Sequence, residues 1–237
     1  MSSLILIRHG QSIWNLKKKF TGWVDVKLTK QGKLEANKAG KLIKKLDLKV
    51  DKFFCSYQKR AIETLNLILN TLRIKNDKVI KAWELNERHY GALTGLNKDE
   101  MKKTLGEDKV LEFRRSWNVR PEPLNKNNPY HPINIEIYKN IPKDKIPDTE
   151  SLKDTYERVI PYFEKNILDK LNKNIIIAAH GNSVRALCKY LFNIDNEKIS
   201  KLEIPTGNPL LIKFDNNKKV KEASYLDQKR ANDLIIF

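Results

Sequence analysis

Two histidines occupy the same local setting. Leu4-Ile5-Leu6-Ile7 runs into Arg8-His9-Gly10, and Ile175-Ile176-Ile177-Ala178-Ala179 runs into His180-Gly181-Asn182. An unprotonated imidazole nitrogen is a competent nucleophile toward phosphorus, and a covalent intermediate divides one hard displacement into two easier ones. The group in transfer keeps its charge on equatorial oxygens, so the nucleophile needs fixed positive donors around it. Arginine suits that role because its planar fork donates two hydrogen bonds to one phosphate and stays charged. Arg8 adjoins His9, and Arg60 follows a third apolar run, Lys52 to Cys55. A lone Arg-His-Gly is a weak signal, since a histidine often does no more than cap a strand. Its repetition after a second apolar run makes phosphoryl transfer the stronger reading.

For these groups to meet, the chain must place several strand ends side by side. Short apolar runs alternate with longer segments of helical periodicity, which predicts an α/β three-layer sandwich with a mostly parallel central sheet flanked by helices. Strands are expected at Leu4–Ile7, Lys52–Cys55, Val79–Trp83, Ile175–Ala179 and Leu210–Phe214. The carboxyl ends of parallel strands open onto the crevice where ligands bind, and glycine after each histidine lets backbone approach a ligand closely. Thr29 is the expected cap of a helix carrying Ala36, Ala39, Ile43 and Leu46, and Ser56 of one carrying Ala61, Leu65, Ile68, Leu69 and Leu72. A helix with Val184, Leu187, Cys188 and Leu191 follows His180. A longer one runs from Leu152 to Leu171, kinked by Pro161.

The stretch from Trp117 to Asp148 holds six of the prolines and little periodicity: Pro121, Pro123, Pro129, Pro132, Pro142 and Pro147. Long irregular stretches in compact domains are usually lids or disorder. The expected organisation is one domain over 1–237, with a Pro-rich insertion near the active site at about 117–150 and a C-terminal tail at about 225–237. Insertion and tail are the candidate lids that keep water from the nucleophile.

The 237 residues are 40% hydrophobic and 32% charged, the balance of a globular chain with an ample solvated surface. A net charge of +17 attracts polyanions in general, but no nucleic-acid module accompanies it, and most of it reads as solvated lysine. Cys55 and Cys188 sit in apolar contexts, as buried free thiols of a reducing compartment do. With no export signal and no apolar run of bilayer length, the cytoplasm is the expected location. Cysteine and histidine spacing shows no metal-ligand pattern, and no GxxxxGK loop marks ATP as a donor. His89 and His131 are read as structural.

Longer blocks carry a resemblance. Arg8-His9-Gly10-Gln11-Ser12, Trp14-Asn15 and Phe20-Thr21-Gly22-Trp23 are followed in order by Lys59-Arg60-Ala61, Glu84 to Gly91, Leu93 to Lys98, Arg114-Arg115-Ser116, Glu150 to Thr155 and Ala179 to Ser183. Together they resemble the 2,3-bisphosphoglycerate-dependent phosphoglycerate mutases of the histidine phosphatase superfamily, and the Glu87-Arg88-His89-Tyr90 block is similar to the mutase branch in particular. Lys19 departs from the arginine that many relatives carry there.

That resemblance implies His9 as the phosphorylated nucleophile, Glu87 as general acid/base and His180 as stabiliser of the transferring group. Arg8, Asn15 and Arg60 would hold that group. Tyr90, Lys98, Arg114 and Arg115 would bind the substrate carboxylate and second phosphate, with Thr21, Gly22, Arg88, Gly181 and Asn182 completing the pocket. The implied reaction interconverts 3-phosphoglycerate and 2-phosphoglycerate in glycolysis and gluconeogenesis, primed by 2,3-bisphosphoglycerate and without a metal. A phosphatase of the same superfamily is the alternative. Small-molecule phosphoglycerates are the implied partners, with no specific nucleic acid and no membrane, and a homo-oligomer (dimer or tetramer) is expected.

Overall fold

Alternation along the first strand decides the layering. In the computed structural model, which describes residues 2–75 and 78–231, strand β1 (Ser2–Arg8) sends Leu4 and Leu6 into one buried cluster and Ile5 and Ile7 into another. Successive strand residues face opposite sides, so a uniformly apolar strand must be covered on both. The Ile5/Ile7 side packs on Ala39 and Ile43 of α2 (Lys30–Lys44) and on Leu65, Ile68 and Leu69 of α3 (Lys59–Leu72). The Leu4/Leu6 side packs on Val159 and Phe163 of α6 (Leu152–Asn166) and on Val184 and Leu187 of α7 (Gly181–Leu191).

The remaining strands are β2 (Lys52–Cys55), β3 (Val79–Lys81), β4 (Ile175–Ala179), β5 (Leu210–Phe214) and β6 (Val220–Tyr225). All lie in one sheet of order β3-β2-β4-β1-β5-β6, whose first four members are parallel and whose last two are antiparallel. The expected α/β sheet flanked by helices is what the chain forms. β1 and β4 are direct neighbours with Arg8 opposite Ala179, so the two His-Gly pairs emerge side by side. Among the described residues, no helix is long and apolar enough to cross a membrane.

Several local expectations are corrected. Ser56 is not the cap of α3: Gln58 holds that position, and the Ser56 hydroxyl is engaged elsewhere. The third strand ends at Lys81 rather than Trp83, because Trp83–Leu85 winds into a 3-10 turn. α6 continues through Pro161 to Asn166, and a separate 3-10 turn, Leu168–Lys170, follows. β6 went unread because Ala223 alone among its side chains is buried, which leaves no apolar alternation to detect. Thr29 does cap α2, accepting from the Gly32 N–H at 3.0 Å.

Three short helices sit near the strand ends: α1 (Ile13–Leu16), α4 (Lys98–Leu105) and α5 (Glu107–Arg115). A last one, α8 (Asn196–Ile199), precedes β5. The Pro-rich segment is neither disordered nor structureless. It makes 3-10 turns at Pro132–Asn134, Glu136–Tyr138 and Lys143–Lys145, and buries Tyr138 and Ile141 against Trp23. The Tyr138 hydroxyl donates to the Trp23 carbonyl at 2.6 Å, and the Ala92 N–H reaches the Glu122 carbonyl at 2.7 Å. Of the expected tail, residues 232–237 lie outside the described residues.

Candidate active site

The β1–β4 pairing brings the two imidazoles together, with ring centroids 5.0 Å apart in an edge-on arrangement. Hydrogen bonding assigns the His9 ring its tautomer. His9 Nδ1 lies 2.7 Å from the Gly10 carbonyl, which can only accept, so the proton sits on Nδ1 and Nε2 keeps its lone pair. Arg60 Nε donates to that Nε2 at 3.2 Å. Burial, reinforced by Arg60 and Arg8, holds the His9 pKa well below 6.5, so the nitrogen stays unprotonated. In His180, Nε2 lies 2.7 Å from the Ser56 hydroxyl, which already accepts the Gln58 N–H. His180 Nε2 is thus tied to Ser56, and its Nδ1 is the ring nitrogen without a partner among the described residues.

Arginines surround the pair, most of them held by neutral oxygens. Arg60 donates to the carbonyls of Val24 and Gly22, both at 2.8 Å, and to the side chain of Gln58 at 3.2 Å. Arg8 donates to the Ile204 carbonyl at 2.8 Å. The stretch Leu202-Glu203-Ile204 gathers two more: Arg185 gives two bonds to the Leu202 carbonyl, at 3.0 and 2.9 Å, and Arg115 reaches the Glu203 carboxylate at 2.5 Å. Carbonyl oxygens orient a guanidinium without cancelling its charge, so the field over His9 stays positive. Buried Arg8 Nε, Thr21 Oγ1 and His180 Nδ1 have no partner among the described residues. Polar groups so enclosed are costly unless satisfied, and all three can donate to a phosphoryl oxygen. The site fits a phosphorylated ligand.

Glu87 is buried beside the arginines, 8% exposed. One of its oxygens accepts from the backbone N–H groups of Arg88 at 2.8 Å and Asn182 at 3.1 Å. The other faces Gly181, where an added Cβ would stand 3.7 Å from it and 3.6 Å from Arg8 Nε. Gly10 has a packing reason of its own: a Cβ there would come within 2.2 Å of the Gly32 carbonyl, so glycine admits the first turn of α2.

Other sequence candidates are distributed around this centre. Tyr90 Oη accepts from Asn182 Nδ2 at 3.0 Å. Lys98 reaches the Lys19 carbonyl at 2.9 Å, and burial, aided by Arg114 and Arg8, pushes its pKa down to about 8. Arg114 is half-buried at the end of α5. Asn15 Oδ1 is engaged by the Ser12 N–H in a capping box at α1, which leaves the amide N–H groups for any ligand. The Gly22 carbonyl is occupied by Arg60 and Gln58. Arg88 is fully buried and stacks on Tyr90; it donates to the carbonyls of Glu150, Phe113 and Val119, and its Nη1 has no partner among the described residues. His89 and His131 lie outside the pocket, His131 paired with Asp148 at 2.9 Å.

Four supporting residues have no place in the sequence reading as site residues. Ser56 and Gln58 are two; Gln58 alone links Gly22, Arg60 and the Glu87 N–H. Glu150 and Arg158 are the others, a buried ion pair at 2.6 Å. Glu150 accepts from the His89 N–H at 2.7 Å, and Arg158 donates to the carbonyls of Glu84 at 2.5 Å and Glu87 at 3.0 Å. The pair clamps the backbone that carries Glu87. Their polar types alone gave no signal, since the partners are distant in sequence.

Comparison with known proteins agrees with this geometry. The sequence profile of the histidine phosphatase superfamily (branch 1) matches residues 4–130 and 129–226. A 2,3-bisphosphoglycerate-dependent phosphoglycerate mutase of Pelagibacter ubique is 65% identical over 239 residues, covering 100% of both chains. One from Hydrogenobaculum is 49% identical over 228 residues, covering 95% of this chain and 92% of the other. A solved mycobacterial glucosyl-3-phosphoglycerate phosphatase superposes with a TM-score of 0.69 at 17% identity, covering 95% of this chain and 98% of that one, a likeness of fold. The chain therefore belongs to the histidine phosphatase superfamily, branch 1, among its 2,3-bisphosphoglycerate-dependent phosphoglycerate mutases.

Proposed function

We propose that the protein interconverts 3-phosphoglycerate and 2-phosphoglycerate through a phosphohistidine at His9. The observation that carries this reading is the tautomer of His9, whose Nε2 lone pair faces Arg60 while Nδ1 is tied to Gly10. The similarity to two phosphoglycerate mutases favours a mutase over a phosphatase. When bound, 2,3-bisphosphoglycerate supplies the phosphoryl group that primes His9. Arg8, Arg60, Thr21 and the His180 Nδ1–H hold the phosphoryl oxygens and stabilise the charge as it passes. Glu87 takes the proton from the substrate hydroxyl as its oxygen forms the new bond to phosphorus and the bond to Nε2 breaks. In the opposite step Glu87 returns a proton to the leaving oxygen, and Nε2 takes the phosphoryl group. Lys98, Arg114, Arg115 and Tyr90 meet the carboxylate and the second phosphate, and the 117–150 segment helps keep water out. A cytoplasmic location and a homo-oligomeric assembly belong to the same proposal.

Two experiments test it. Product should form from 3-phosphoglycerate only when catalytic 2,3-bisphosphoglycerate is added. Labelled bisphosphoglycerate should leave an acid-labile, base-stable phosphate on the wild type and none on His9→Ala. Label retained on His9→Ala at wild-type level would overturn the assignment.

A further inference from the structure

We propose that Arg185 is a positioning residue for substrate binding: it fixes the amide of Asn182 so that the Tyr90 hydroxyl proton is left for the bound anion. The inference rests on the reading of Tyr90 and Asn182 as part of the phosphoglycerate pocket. Arg185 follows Asn182 by three residues on α7, so the two side chains share a face of the helix. Its guanidinium has donors only. Nη1 donates to Asn182 Oδ1 at 2.7 Å, while Nε and Nη2 are both anchored on the Leu202 carbonyl. With a donor fixed against it, the Asn182 amide has one acceptable orientation: oxygen toward Arg185, NH₂ toward Tyr90. Flipping it would set NH₂ against guanidinium and leave two donors facing each other.

The direction of the chain then propagates. Asn182 Nδ2 donates to Tyr90 Oη at 3.0 Å, so the Tyr90 oxygen accepts and its own O–H is not used in that bond. A phenol whose oxygen accepts from an amide held by a cation is a better donor, because successive hydrogen bonds polarise one another. The Asn182 backbone N–H meanwhile donates to Glu87 Oε1 at 3.1 Å, so the residue that Arg185 fixes touches the acid/base as well. Arg185 itself is only 4% exposed, and all its bonds run to protein oxygens. It acts through Asn182.

A double-mutant cycle separates this role from general structural support. Binding of 3-phosphoglycerate to the unphosphorylated protein is measured by calorimetry for wild type, Arg185→Met, Tyr90→Phe and the double variant. Arg185→Met keeps an apolar stem and removes every donor. It should raise Kd about tenfold or more, the order expected for one charge-assisted bond. In the Tyr90→Phe background that rise should disappear, because the hydroxyl it directs is gone. A rise of the same size in both backgrounds would overturn the inference, as would no rise in the wild-type background. Thermal melts check folding; if Arg185→Met does not fold, the cycle is run with Arg185→Lys, a point charge without the planar fork that bonds Leu202 and Asn182 along separate edges. A smaller rise, again absent with Tyr90→Phe, is expected there, and a rise that persists would overturn the inference. Wild-type protein that fails to bind 3-phosphoglycerate would sink the functional reading and this inference together, whereas a persistent effect sinks only the second.

Discussion

Replacing Glu87 by glutamine removes a base and almost nothing else. Oε1 accepts from the Arg88 and Asn182 N–H groups, and a glutamine oxygen in the same place accepts both. The amide nitrogen then stands where Oε2 faces Gly181 and Arg8. The fold should survive, because no backbone donor is orphaned. Substrate affinity should hold or improve, since the negative charge beside Arg8 and Arg60 is gone and both guanidinium groups remain. Turnover is another matter. Positioned acid/base help contributes about 10²–10⁴-fold, equivalent to about 2.7–5.5 kcal/mol of barrier. Formation of 2-phosphoglycerate should therefore fall at least about a hundredfold in Glu87→Gln, with Kd for 3-phosphoglycerate no higher than wild type. Phosphorus NMR follows the turnover, and calorimetry the affinity. Turnover close to wild type would mean that the hydroxyl proton goes elsewhere and that Glu87 is a structural acceptor.

Lys98 gives a pH signature. With its pKa near 8, the ammonium is fully charged well below that value and loses its proton as pH rises through it, so Kd for 3-phosphoglycerate should climb above pH 8. Lys98→Arg, which stays charged, should flatten the profile; an unchanged climb would place the titrating group elsewhere. Changing Arg114 and Arg115 to alanine should raise KM at least about tenfold, each charge-assisted bond lost being worth about 1.5–3 kcal/mol. Thermal stability should change little, because the Arg115–Glu203 pair is solvent-facing on the Glu203 side, at 60% exposure. Unfolding of the double variant at ordinary temperature would return both residues to the scaffold. Because arginines carry the charge stabilisation, chelators should leave activity intact while vanadate inhibits, and loss on chelation restored by Mn²⁺ would contradict that mechanism.

The sequence was most informative where a feature is local. The apolar runs before His9 and His180 read as strands, and the β1–β4 register then accounts for their meeting. Thr29 was legible as a cap because its partner lies three residues away. Ser56 has the same residue type before a helix, yet its hydroxyl serves His180 from a position 124 residues distant, and no local rule anticipates such a choice. Arg88 shows the same limit: its anchoring on the carbonyls of Glu150, Phe113 and Val119, remote in sequence, has no local signal. The close approach of Gly32 backbone to Gly10 had no signal in the sequence, since the two are brought together by the fold. The Glu150–Arg158 clamp was invisible because a buried ion pair and a surface one have the same composition.

The stretch from Leu202 to Ile204 collects guanidinium groups from β1, α5 and α7, Arg115 through the Glu203 carboxylate and the other two through carbonyls, so much of their mutual repulsion is held in place rather than neutralised. Folding must force these like charges together, and any small anion that settles among them relieves that work. Ligand that binds only the native chain raises its stability with the logarithm of concentration, about 2.7 kcal/mol at a hundredfold excess over Kd. Melting temperature is then partly a property of the solution. Phosphate buffer should protect this protein from heat where an uncharged buffer of equal pH does not, and in a cell its lifetime would follow the supply of phosphorylated metabolites.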